Sequence, residues 1–107
     1  MQVADIIRLR MSQLGMDIQE LSNTTLIDEK IIRNLISNKI DLKDLNCIDI
    51  EFLESGLYCL PGYLTDKSVR EKDILYNVND MSNIKANKVK VLIQSMVYDF
   101  EFLQSLL

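Results

Sequence analysis

The chain contains no histidine, and that absence removes the side chain most often used as a metal ligand and as a general base near neutral pH. With no nucleophile paired to a base in view either, an enzyme is not expected. One proline and three glycines in 107 residues leave few places for sharp turns. Few stretches alternate as strands do, so helices are the default and the expected class is all-α. The only cysteines, Cys47 and Cys59, stand among apolar residues. Both are expected to be reduced, buried small hydrophobes, because the two further ligands that a zinc site needs are missing. No metal and no cofactor is expected. No run approaches the roughly 18 continuous apolar residues of a membrane span, and no basic-then-apolar leader opens the chain. A cytoplasmic setting away from membranes is the expectation. Gly-rich phosphate loops, repeats and low-complexity tracts are absent as well.

What is present is ordinary globular material. Hydrophobic residues make up 48% and charged residues 26%, enough for one domain with a core and an extension. The formal charge of −4 and a pI near 4.7 speak against nucleic acid as a whole-chain property. Phosphate contacts depend on a local patch more than on the total, however. The carboxylates Asp41, Asp44, Asp49, Glu51 and Glu54 read as a solvated face, since nothing in the pattern buries them or makes them converge.

The chain is organised around Asp17 to Lys39, DIQELSNTTLIDEKIIRNLISNK. Asp17 and Glu20 have the spacing of a capping box, which predicts a helix that carries Leu21 inward. Asn23, Thr24 and Thr25 compete for backbone hydrogen bonds and end it within about two turns. Asp28 then caps a second helix, in which Ile32, Leu35 and Ile36 share one face while Glu29, Lys30, Arg33, Asn34 and Ser37 share the other. Asn38 stands where a left-handed C-cap is wanted.

This segment resembles the helix-turn-helix of the phage repressor and Cro superfamily, also called the Xre family. Met16 to Lys39 aligns without gaps on that pattern at Asp17, Glu20, Leu21, Ile27, Asp28, Ile32, Leu35 and Asn38. Arg8, Leu9 and Arg10, ahead of Leu14 and Gly15, are similar to the end of the family's first helix, and LNCIDIEFLESGLYCLPGYL is similar to its later helices. The sequence departs from the pattern at Ile18, where a phosphate-contacting Gln is usual although Gln19 lies beside it, and at Leu26, where the turn usually has Gly. Asp28 and Glu29 put acid at the start of the recognition helix.

The resemblance covers roughly the first two thirds of the chain and implies a lambda-repressor-like, five-helix, all-α domain over residues 1–65; the residue pattern beyond it predicts a linker over 66–82 and a C-terminal helix over 83–107. The resemblance also implies a transcriptional regulator that binds double-stranded DNA as a homodimer. Lys30, Arg33, Asn34, Ser37 and Lys39 would face the duplex, with Arg33 on guanine, Asn34 on adenine and Ile31 on a thymine methyl. Gln19, Thr24 and Lys39 would approach phosphates. The alternative keeps the fold and changes the ligand. Some anti-CRISPR proteins look like this, so the partner would be a CRISPR effector or another protein.

Elsewhere, periodicity predicts a first helix over 2–14 that Gly15 ends, with Arg8 or Arg10 facing outward. A fourth helix is expected from about Leu45 to Tyr58, with Ile48, Phe52, Leu53 and Leu57 inward and Asp49, Glu51 and Glu54 outward. Pro61 is expected to open a short next helix holding Tyr63 and Leu64, and Ser82 to cap the last one. In that last helix Val89, Leu92, Met96, Phe100, Leu103 and Leu107 make a seam, with Ile93 and Val97 beside it. A helix apolar on more than one face needs cover on more than one face, which points to a homodimer through these residues.

Overall fold

A computed structural model describes residues 2–76 and 83–106. The described residues form an all-α fold of six helices without a strand. Helix α1, Val3–Leu14, buries Ile6, Ile7, Arg10, Met11 and Leu14 along one side. It ends at Gly15, whose φ of +60° is the left-handed geometry that glycine adopts without strain. Helix α2, Ile18–Thr25, starts where the Asp17 side chain accepts the Glu20 N–H at 2.8 Å. Helix α3, Glu29–Ile36, starts where Asp28 accepts the Lys30 N–H at 2.7 Å, and Asn38 follows it with a φ of +61°. All three boundaries arise from the cap residues that the sequence displays.

A 3-10 turn, Leu42–Asp44, leads to α4, Cys47–Gly56, which is capped by Asn46. Helix α5 is Lys67–Lys72, capped by Asp66. Helix α6 is Ile84–Ser105, capped by Asn83 through its bond from the Ala86 N–H. Ser82, expected as that cap, lies outside the described residues. The main core joins Ile6, Ile7 and Met11 of α1 to Leu21, Ile27, Ile32, Leu35, Leu53, Leu57, Tyr63 and Leu64. A second, smaller cluster of Leu14, Leu75 and Val91 seats α6 against α1.

Several expectations are corrected by this packing. Ile48 and Phe52 face solvent, because α4 is apolar at two phases and the line through Leu53 and Leu57 is the one turned inward. Gly56 sets that phase: a Cβ there would lie 2.5 Å from Cγ2 of Thr25, so α2 and α4 touch where α4 has no side chain. The Thr25 hydroxyl donates to the Leu21 carbonyl at 2.7 Å, which holds that methyl in place. Gly56→Ala is therefore expected to lower stability by about 1–3 kcal/mol through overpacking. A denaturant midpoint equal to that of the parent chain would show that the two helices are not in contact there.

Glu54, expected outside, is buried and accepts the Leu64 N–H at 2.9 Å. Residues 61–65 are turns, so Pro61 opens no helix, although Tyr63 and Leu64 do enter the core. The described part of the expected linker holds α5 and a turn that buries Asp73 and Leu75.

The cysteines divide. Cys47 is exposed at the start of α4, contrary to expectation, while Cys59 is half-buried and its thiol donates to the Leu57 carbonyl. Burial pushes the Cys59 thiol up to about 12, which leaves almost no thiolate at neutral pH. A thiol reagent should then modify one cysteine rapidly in the native protein and the second only on unfolding. Two equally fast equivalents would place both thiols at the surface.

Of the two arginines expected to face outward, Arg8 does so and pairs with Asp5, whereas Arg10 is the largest correction. It is fully buried, not outward, and forms a bidentate pair with Asp73 at 2.7 and 2.9 Å. Its Nε and Nη2 also donate to the carbonyls of Leu57 and Tyr58, and the guanidinium lies 5.2 Å from the Tyr63 ring centre. The reason is readable in the spacing. Arg10 sits in phase with Ile6, Ile7 and Leu14, on the buried side of α1.

Candidate nucleic-acid interface

Ile32 and Leu35 point into the core, so Lys30, Arg33, Asn34 and Ser37, at helical steps on the opposite side, share the outer face of α3. All are exposed except Asn34, which is half-buried; Ile31 and Lys39 are exposed as well. Gln19 and Thr24 are exposed on α2. All eight residues expected to meet DNA thus lie at the surface of one two-helix unit, and none is in the core.

Two of their hydroxyls are engaged locally. Thr24 donates to the Glu20 carbonyl at 2.8 Å and Ser37 to the Arg33 carbonyl at 2.6 Å. Each can still accept a hydrogen bond, but must release its carbonyl to donate to a phosphate. Arg33 pairs with Glu29 at 3.5 Å across one turn, with the arginine side chain largely in water and the glutamate partly so. Such a pair is worth about 0.3–0.5 kcal/mol, so the guanidinium is readily freed.

The electrostatics of the unit are mixed. Asp17 and Asp28 occupy the two helix N-termini, where a phosphate would otherwise meet backbone N–H groups. Residues 17–39 carry Asp17, Glu20, Asp28 and Glu29 against Lys30, Arg33 and Lys39. Arg10 adds nothing to this surface, because its charge is neutralised inside the fold by Asp73.

Leu26, the departure from the resembled pattern in the turn, has a further consequence for this surface. It occupies the turn between α2 and α3 with a φ of +62°, where the resembled pattern has Gly, and it is 86% exposed. A left-handed backbone costs a branched residue about 1–2 kcal/mol, and an exposed leucine recovers none of it.

No family model, curated protein or solved structure matches the chain.

The remaining expected site is on α6. This helix faces its own body with Ile84, which packs on Gly15, and with Asn87, Val91 and Gln94, at steps of three and four. Asn87 donates to the Gln13 carbonyl at 3.0 Å. Gln94 donates to Asp73 at 2.9 Å and accepts the Ile74 N–H at 2.8 Å. The body-facing side is therefore half polar, and the opposite side apolar. Val89, Leu92, Ile93, Met96, Val97, Phe100 and Leu103 are 46–70% exposed, and Leu107 lies outside the described residues. Tyr98, Phe102 and Leu106 are exposed too. Among the described residues no helix is long and apolar enough to cross a membrane, so α6 is not a span despite this surface.

Proposed function

We propose that the chain is a cytoplasmic, DNA-binding transcriptional regulator of the Xre type that acts as a homodimer paired through α6. The observation that carries the reading is the outer face of α3. Lys30, Arg33, Asn34 and Ser37 are presented together, with Ile31 and Lys39 at its margins, while the fold itself depends on none of them. A helix of this kind fits the major groove, where Arg33 reaches guanine O6 and N7 and Asn34 reaches adenine N6 and N7.

Selection from random duplexes, followed by salt titration, tests the reading. Arg33→Ala and Asn34→Ala should each cost about 1–3 kcal/mol on the selected site. Lys39→Ala should weaken all duplexes alike and reduce the salt slope by about one. Recovery of no enriched sequence would end the DNA reading.

A protein partner is the second reading, favoured by Leu26. An exposed leucine at a strained position, with Ile31 exposed and four carboxylates on the same two-helix unit, suits a protein surface with an apolar pocket and basic surroundings. In that case Leu26→Gly should abolish partner binding without lowering stability, since glycine accepts the left-handed turn.

A further inference from the structure

Helix α6 carries its charges the wrong way round for its own dipole. Lys85, Lys88 and Lys90 occupy its N-terminal third, Asp99 and Glu101 its C-terminal third, and residues 91–98 between them are uncharged. A helix favours carboxylates at its N-terminal end and cations at its C-terminal end. All five side chains are exposed, and among the described residues none belongs to an ion pair. The body does not compensate them either, because α6 meets it through Ile84, Asn87, Val91 and Gln94, none of which is charged.

The apolar side has its own order. Val89, Ile93, Met96, Phe100 and Leu103 follow one another at steps of four and three, the repeat of two helices that pack side by side. The exposed area of the seven described seam residues is on the order of 700 Å², close to the roughly 800 Å² per partner of a standard interface. A second copy of the chain is thus an occupant of the right size, and it brings the same reversed charges.

Resting on the homodimer reading above, we infer that the two α6 helices pair antiparallel, with the two-fold axis crossing them between Gln94 and Ser95. In that register Val89 lies against Phe100 of the partner subunit, and Ile93 against Met96 of the partner subunit. Lys88 and Lys90 then flank Asp99 and Glu101 of the partner subunit, so both ends gain the opposite charge and the opposing dipole that they lack alone. A parallel pair places lysine beside lysine and carboxylate beside carboxylate. Like-charge juxtaposition selects against it.

Oxidative cross-linking of the full chain, carrying Cys47→Ser to remove the exposed thiol, tests the orientation. Val89→Cys combined with Phe100→Cys should give covalent dimers in high yield. Either substitution alone should not, since eleven residues of helix separate each cysteine from its copy by about 16 Å. Efficient cross-linking of either single variant would establish a parallel pair and overturn the inference. A wild-type chain that sediments as a monomer would overturn it as well. Charge reversal supplies the second arm. Lys88→Glu with Lys90→Glu should weaken the dimer by about tenfold or more, and adding Asp99→Lys with Glu101→Lys should restore it. Failure of that rescue also counts against the pairing. Neither arm involves DNA, so a failed duplex selection and a failed helix pairing remain separate results.

Discussion

Replacing Arg10 with Met is expected to lower the melting temperature by roughly 15–30 °C, the largest effect of any single substitution considered for this chain. The reason is the company that the guanidinium keeps. Asp73 is buried and would be left with only the Leu75 N–H and the Gln94 amide as partners. The carbonyls of Leu57 and Tyr58 would lose the guanidinium as a donor at the same time. Breaking one side of a buried pair costs about 3–5 kcal/mol, a large share of what a domain of this size has to spare. Arg10→Met together with Asp73→Leu should be less damaging than the sum of the two singles, because no uncompensated charge is left. Amide exchange would also quicken along the first half of α6, which is tied to the body through Asp73 and Gln94. A melting point within a few degrees of the parent would mean that Arg10 is solvated.

This network fixes how α6 is carried. Arg10 reaches from α1 to the end of α4 and to Asp73, and Asp73 holds Gln94 of α6. Gln13 donates to the Leu75 carbonyl, and its own carbonyl accepts from Asn87. Such buried polar contacts are directional, whereas the small cluster of Leu14, Leu75 and Val91 alone would tolerate rotation of the helix. In the DNA reading, that direction sets the angle between the two recognition helices.

The helical class and the boundaries of α1, α2 and α3 were legible because their stop and start residues act locally. Asp17, Asp28, Gly15 and Asn38 each satisfy backbone groups within a few residues, so no knowledge of the fold is needed to place them. The phase of α4 was not legible. Ile48, Phe52, Leu53 and Leu57 are equally apolar, and the choice among them is made by Gly56 against Thr25, a contact between distant parts of the chain. Glu54 was misread for a related reason. Its partner, the Leu64 N–H, lies in a turn that only the folded chain brings near. Arg10 could have been placed, since its phase matches Ile6 and Ile7, but charge was weighed above phase. The outer face of α3 was readable from periodicity, whereas the exposed, left-handed Leu26 depends on a backbone angle that composition does not reveal.

If the chain pairs through α6 as proposed, changing Leu92 and Met96 together to Lys should give a monomer whose α2–α3 unit stays folded. Both side chains lie on the side of α6 turned away from Asn87, Val91 and Gln94, so the body loses no core contact. In a two-fold pair the change removes four apolar side chains and sets four ammonium groups around the axis. At about 1.5–3 kcal/mol for each buried side chain, the loss exceeds about 6 kcal/mol, or roughly 10⁴-fold in the dimer dissociation constant. Helical content and melting by circular dichroism should stay near those of the parent at concentrations where the parent is already monomeric. Affinity for a palindromic duplex should fall by about 10²–10⁴-fold, because each half-site is then bound without the help of the other, while affinity for a single half-site should change little. Sedimentation at micromolar concentration reads the first step directly. A variant that still sediments as a dimer would move the interface to another surface, with exposed Ile48 and Phe52 of α4 the next place to look.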